Sequence, residues 1–113
     1  ARKVMYGLWG LGLMMLAKTI LVVDDDTDVQ NVSQVAWRAA NNVDPRRDLV
    51  VVEGPLDALD HSSPTPHYGA KLGIDATRKL PEEGHQREWP ADIVMRPDIV
   101  QKVTERWNRN LGF

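Results

Sequence analysis

Two short apolar runs decide how this chain is read: Thr19–Val23, TILVV, and Leu49–Val52, LVVV. Neither alternates with polar residues, so each suits a strand buried on both faces. Between them Val32, Val35, Ala36 and Ala39 recur at i, i+3, i+4 and i+7, which is one face of a helix. Asn31 and Gln34 stand three apart, as a capping box requires. Asn41, Asn42, Asp44 and Pro45 close the helix. Strand, helix and strand over about thirty residues predict an α/β fold containing a βαβ unit with a right-handed crossover.

Outward toward the start, Arg2 and Lys3 precede an apolar or glycine run from Val4 to Ala17, VMYGLWGLGLMMLA. It falls short of the ~20 residues that span a bilayer. A basic start and a short apolar core have the form of a signal peptide. Gly7, Gly10 and Gly12 interrupt that core, and a strand follows at once. These features favour a short helix over residues 1–9, with Val4 and Leu8 inward, then a turn at the glycines. A chain that opens on Ala1 reads as a piece of something longer.

Outward toward the end, the segment Gly54–Arg96 holds five of the seven prolines and all three histidines. One short helical turn is expected near Leu56–Leu59 and irregular, extended chain elsewhere. Such a length of structureless chain is unusual inside a compact domain, and it is expected to drape over another domain or subunit. Ile99, Val103 and Trp107 then repeat every four residues, with Pro97 and Asp98 at the start and Gly112 past the end. That predicts a terminal helix whose apolar stripe needs a partner. The expected divisions are residues 1–54, an α/β portion; 55–96, an arm; and 97–113, the helix.

Composition bounds the function. Of 113 residues, 42% are hydrophobic and 27% charged, which excludes a wholly disordered tail and a polytopic membrane protein. A net charge of -2 offers no basic footprint for nucleic acid. With no cysteine there is no disulfide, thiolate nucleophile or Cys-ligated metal. A cytoplasmic location is the default expectation.

Asp24, Asp25, Asp26 and Asp28 follow the first strand, where α/β proteins place ligands. Clustered carboxylates could hold Mg²⁺; alternatively they turn the chain and cap the next helix. His61 and His67 could form a polar pocket or an acid–base pair, although loop histidines are commonly structural, and the three histidines have no zinc-ligand spacing. Arg46 with Arg47, and Arg78 with Lys79, suit either an anion or solvated and intersubunit charge. Four tryptophans suggest core and interface anchors. Gly10-Leu11-Gly12 is a fragment of a dinucleotide-binding pattern and carries no argument. Residue chemistry alone assembles no self-contained active site.

ILVVDDD and DLVVVEGPLDA resemble the first and third strands of a receiver domain, with Glu53 at the phosphoacceptor place. Glutamate cannot form the aspartyl phosphate, and a receiver needs a further strand and helix between these two, so this reading is rejected. The phrases WGLGLMMLAKTILVVDDDTDVQN, NNVDPRRDLVVVEGPLDALDHSSP, HYGAKLGIDATRKLPEEG and VTERWNRNLGF closely resemble the C-terminal part of UbiD-family decarboxylases, in order and over nearly the whole chain. The likeness is greatest to members of quinone biosynthesis and aromatic acid decarboxylation.

The resemblance implies an enzyme that decarboxylates aromatic or α,β-unsaturated acids with prenylated FMN, aided by Mn²⁺ and often K⁺. The catalytic residues and metal ligands of that family lie in an N-terminal flavin-binding portion, so none is carried onto this chain. What remains is half of the C-terminal oligomerisation domain, an arm and a helix. The implied partners are that N-terminal portion and further copies in a homo-oligomer. Membrane association is expected only through a lipophilic substrate. Ferulic-acid-type relatives place a lysine near the cofactor and an aromatic pocket wall in the loop before the DDxDV strand; here Gly12 and Met15 stand there, both departures. Met15, Leu59 and Asp60 are the implied substrate-pocket residues, and DDDTD becomes a turn and cap. The alternatives are a separately encoded, non-catalytic docking subunit and a degenerate receiver-like signalling domain.

Overall fold

A computed structural model describes residues 1–111. In chain order the elements are helix α1 (Arg2–Trp9), a 3-10 turn (Gly12–Leu16), strand β1 (Thr19–Val22), helix α2 (Val32–Asn42), the single turn α3 (Pro45–Asp48), strands β2 (Leu49–Pro55) and β3 (Tyr68–Asp75), a 3-10 turn (Pro81–Glu83) and helix α4 (Pro97–Leu111). The three strands form one sheet in the order β1-β3-β2. β3 is parallel to β1, from Thr19 opposite Leu72 to Val22 opposite Asp75. It is antiparallel to β2, from Leu49 opposite Ile74 to Pro55 opposite Tyr68.

The α/β class stands, but the strand pairing differs from a simple βαβ unit. β1 and β2 are not neighbours and run in opposite directions. The parallel partner of β1 is β3, which lies within the stretch expected to be irregular. Its sequence, YGAKLGID, puts Gly69, Lys71, Gly73 and Asp75 on one face. Two glycines and two charges conceal a buried strand from any search for apolar runs. The hairpin between β2 and β3 also replaces the expected helical turn: Leu56 N–H donates to His67 O at 2.9 Å, and Asp60 N–H to Asp57 O at 3.0 Å.

The core lies between α1 and the sheet. Met5 is fully buried against Ile20 and Val50, ringed by Leu8, Trp9, Ala17, Val22 and Val52. Gly73 sits at its centre because a Cβ there would come within 2.5 Å of Met5 Sδ. α1 thus turns Met5 inward, and Val4, expected inward, is exposed. On α2 the buried positions are Arg38 and Asn42, with Val35 and Ala39 half-buried and Val32 and Ala36 exposed. Asn31 caps it, accepting from Gln34 N–H at 3.1 Å. Gln34 Oε1 accepts from Asp28 N–H at 3.0 Å, so only half of the expected box forms. β2, expected buried on both faces, is an edge strand with Val50 inside and Val51 69% exposed.

α4 forms as its spacing predicts, while Gly112 lies outside the described residues. Val103, Trp107 and Leu111 along it are all more than half exposed. The molecule measures 58 × 40 × 23 Å, with a radius of gyration of 19.6 Å. A compact chain of this length would have about 13 Å. Among the described residues no helix is long and apolar enough to cross a membrane.

Candidate functional site

The antiparallel run of β2 gathers the amino ends of β1 and β3 with the carboxyl end of β2. Met15 and Asp60 fall at this end of the sheet. Met15 belongs to the first 3-10 turn, which Gly12 enters at φ +48°, a left-handed conformation that glycine adopts without steric cost. No residue of that turn is buried. Its carboxyl end is tied down twice. Trp9 Nε1 donates to Ala17 O at 2.9 Å, and Lys71 Nζ donates to Met15 O. Burial pushes the Lys71 ammonium below the ordinary lysine range.

Asp60 pairs with Lys18 at 2.7 Å. It also accepts from Ser62 N–H and Oγ at 2.9 and 2.7 Å. Lys18 and these serine contacts hold its carboxyl well below the usual carboxylate range. Leu59 is 88% exposed and projects from the hairpin loop. Beside these residues an open cleft of about 450 Å³ is lined by Lys18, Glu53, Leu56, Ser63 and Tyr68. Tyr68 Oη donates to Glu53 at 3.4 Å across its rim. His61 and His67 lie exposed on the same loop. His67 takes φ +63°.

These groups do not fit a flavin phosphate. Both ammonium groups at this end are already engaged, Lys18 by Asp60 and Lys71 by a carbonyl. The cleft beside them is shallow and carries Glu53 on its wall.

The opposite end holds the acidic run. Asp24 accepts from Arg78 N–H at 2.8 Å, and Asp26 pairs with Arg78 and, at 3.6 Å, with Arg38. Arg38 in turn makes a bidentate pair with Asp92 at 2.7 and 2.8 Å, which raises its pKa and lowers that of Asp92. Asp28 closes its own turn on Gln30 N–H at 2.9 Å. The run therefore turns the chain and fastens the later segment, while the helix cap is Asn31. Among the described residues no cluster of three or more metal-ligating side chains forms. Glu53 lies at the other end of the sheet from Asp24–Asp26, an arrangement that no receiver site could use.

Arg47, Arg78 and Lys79, three of the four candidate anion binders, are committed to ion pairs within the chain. Arg47 grips Asp48 at 2.8 and 2.9 Å. Lys79, buried, meets Asp75 at 3.1 Å and Asp48 at 3.7 Å. Burial alone would raise the Asp48 and Asp75 carboxyls. The Arg47 guanidinium and the Asp44 N–H at Asp48, Thr77 at Asp75, and Lys79 at both bring them below the ordinary range instead. Sequence reasoning passed over Lys71 and Arg38. Their signal was a lone cation amid apolar neighbours on a strand and on a helix face.

The model of the 3-octaprenyl-4-hydroxybenzoate carboxy-lyase C-terminal domain matches residues 1–76. An uncharacterized protein of Aquifex aeolicus is 49% identical over 109 residues, which are 96% of this chain and 22% of that protein. One from Archaeoglobus fulgidus is 45% identical over 109 residues, 96% of this chain and 23% of its own. Among solved structures, the vanillic acid decarboxylase of Sedimentibacter hydroxybenzoicus in open form superposes with a TM-score of 0.75 at 31% identity, over 99% of this chain and 24% of that one. Its closed form gives 0.76 at 31% identity, over 98% and 23%. The UbiD-class enzyme HmfF of Pelotomaculum thermopropionicum, in complex with FMN, gives 0.66 at 25% identity, over 89% and 21%. The chain thus spans about a quarter or less of the relatives it matches.

Proposed function

Because the chain belongs to the UbiD family, as part of its carboxy-lyase C-terminal domain, we propose that it completes a decarboxylase of an aromatic or α,β-unsaturated carboxylic acid, building the oligomer and closing the substrate pocket. The reaction itself belongs to prenylated FMN, with Mn²⁺ and K⁺, held by an N-terminal portion of the same enzyme. Held there, the modified flavin would supply an electron sink for the charge left when CO₂ departs. Met15 and Asp60, with Leu59 projecting beside them, are the residues this chain turns toward that pocket. The enzyme works in the cytoplasm as a homo-oligomer.

One observation carries this reading. The chain exposes 8950 Å², where a compact monomer of its mass would expose about 6,200 Å². The excess exceeds the ~800 Å² that each partner buries in a standard interface. Much of it lies on α4, where Val103, Trp107 and Leu111 are more than half exposed, and on Ile93, Val94 and Met95 just before it. The vanillic acid decarboxylase matches in open and closed form alike, which supports this domain moving as a rigid body when a pocket closes.

The test uses the full-length protein reconstituted with prenylated FMN and offered a panel of aromatic and α,β-unsaturated acids, with CO₂ release as readout. Turnover of at least one acid, and its loss together with oligomer size on truncation after Arg96, are expected. A truncated protein that keeps both size and turnover removes the proposed role, and a 113-residue fragment that retains flavin absorbance on its own contradicts it.

A further inference from the structure

Lys71 occupies the middle of the central strand, on the face that α1 covers, and is 3% exposed. Lysines are almost never so buried unless an acid partners them. Lys79 obeys that rule, with Asp75 and Asp48 around its ammonium. Lys71 does not: among the described residues its Nζ meets one acceptor, the main-chain carbonyl of Met15. Its stem runs beside Gly54, where an added Cβ would stand 3.6 Å from Lys71 Cε. A methionine or leucine would fill the same space without desolvating a charge. The donor is therefore what the position uses.

The acceptor lies on the turn that joins α1 to β1. The turn Gly12–Leu16 buries none of its residues. Local backbone bonds, Met14 N–H to Leu11 O at 3.0 Å and Ala17 N–H to Met14 O at 3.1 Å, shape it without orienting it. Its bond to Lys71 joins residues 56 apart in sequence, and Trp9 adds the second tether at Ala17.

We propose that Lys71 is a positioning residue: its ammonium, engaged by a main-chain carbonyl instead of a carboxylate, orients the turn that sets the Met15 side chain against the aromatic or unsaturated acid substrate. This rests on the reading of Met15 as a pocket residue. The ammonium neither touches the substrate nor transfers a proton; it fixes where a wall stands.

The experiment uses the full-length holoenzyme and two readouts, amide hydrogen exchange and steady-state kinetics. Lys71→Met is expected to speed exchange across residues 12–17 while amides 72–75 of β3 keep their protection. It should raise KM about tenfold with kcat changed less than about threefold, as loss of ground-state positioning requires. Lys71→Arg, which restores a donor, should recover part of KM. Met15→Ala should raise KM alike, and adding Lys71→Met to it should cost less than about twofold more, because the two act as one unit. If Lys71→Met fails to fold, Lys71→Gln, shorter and uncharged at the same position, takes its place, and faster exchange over 12–17 is again expected. Unchanged exchange over 12–17 in whichever of these Lys71 variants folds overturns the tether. Additive KM effects of Lys71→Met and Met15→Ala overturn the positioning role. Faster exchange with KM unmoved in both single variants also overturns that role; if CO₂ release persists, the decarboxylase reading survives and only the placement of Met15 in the pocket falls.

Discussion

At the scale of single residues the fold turns on close approach and on buried charge. Gly73 lets α1 rest on the sheet, with Met5 Sδ 2.5 Å and Trp9 Cη2 3.2 Å from where a Cβ would stand. Gly73→Ala should therefore destabilise the domain by about 1–3 kcal/mol, the range for overpacked cores. Met5→Ala in the same chain should recover part of that loss in denaturant melts of the full-length protein. The Asp48 carboxyl is 1% exposed and shared by Arg47 and Lys79. Asp48→Asn should cost about 3 kcal/mol, as breaking a buried pair does. The fold binds the Asp48 and Asp75 protons more weakly than the unfolded chain does. Their contribution is complete above the unfolded value of about 3.9 and fades as pH falls through the lowered folded values. Thermal melts should fall below about pH 4 in the parent, and the slope should flatten in Asp48→Asn.

At the scale of elements, what the sequence disclosed depended on whether apolar residues marked the buried face. β1 and α4 were legible because TILVV is apolar from Ile20 onward and Ile99, Val103 and Trp107 keep a helical period. β3 was not, because its buried face is two glycines, a lysine and an aspartate. It is buried by the approach of α1 and by polar partners, neither of which leaves a periodic apolar trace. Missing β3 led directly to the wrong neighbour for β1. α2 shows the same effect, since Arg38 buries itself by pairing with Asp92, a residue 54 positions away that no local pattern links to it. The candidate site was legible only through resemblance: Met15 and Asp60 fall at the same end of the sheet because β2 turns back on β3. Local chemistry still has measurable weight. Asn31→Ala removes the side-chain cap of α2 and should cost about 1 kcal/mol, visible as faster amide exchange in residues 32–35.

At the scale of the whole molecule, the apolar side chains of α4 decide whether the chain can stand alone. Trp107 is 63% exposed and Val103 58%, and the groove they form with Arg106, Asn110 and Leu111 has a volume of about 450 Å³. A stripe of this kind on a free monomer would promote association with other surfaces. On the present reading it is covered in the oligomer, where Trp107 serves as an anchor. Trp107→Ala should then weaken assembly by about 3–5 kcal/mol, the cost of truncating a buried aromatic. The full-length variant should elute from a sizing column as a smaller species at concentrations where the parent stays assembled. The α1 core should keep its exchange protection, because Met5, Ile20 and Val50 lie outside this helix. An unshifted elution volume together with an unshifted melting temperature would mean that α4 is not the anchor, leaving the exposed Ile93, Val94 and Met95 of the arm as the next apolar surface for the oligomer to cover.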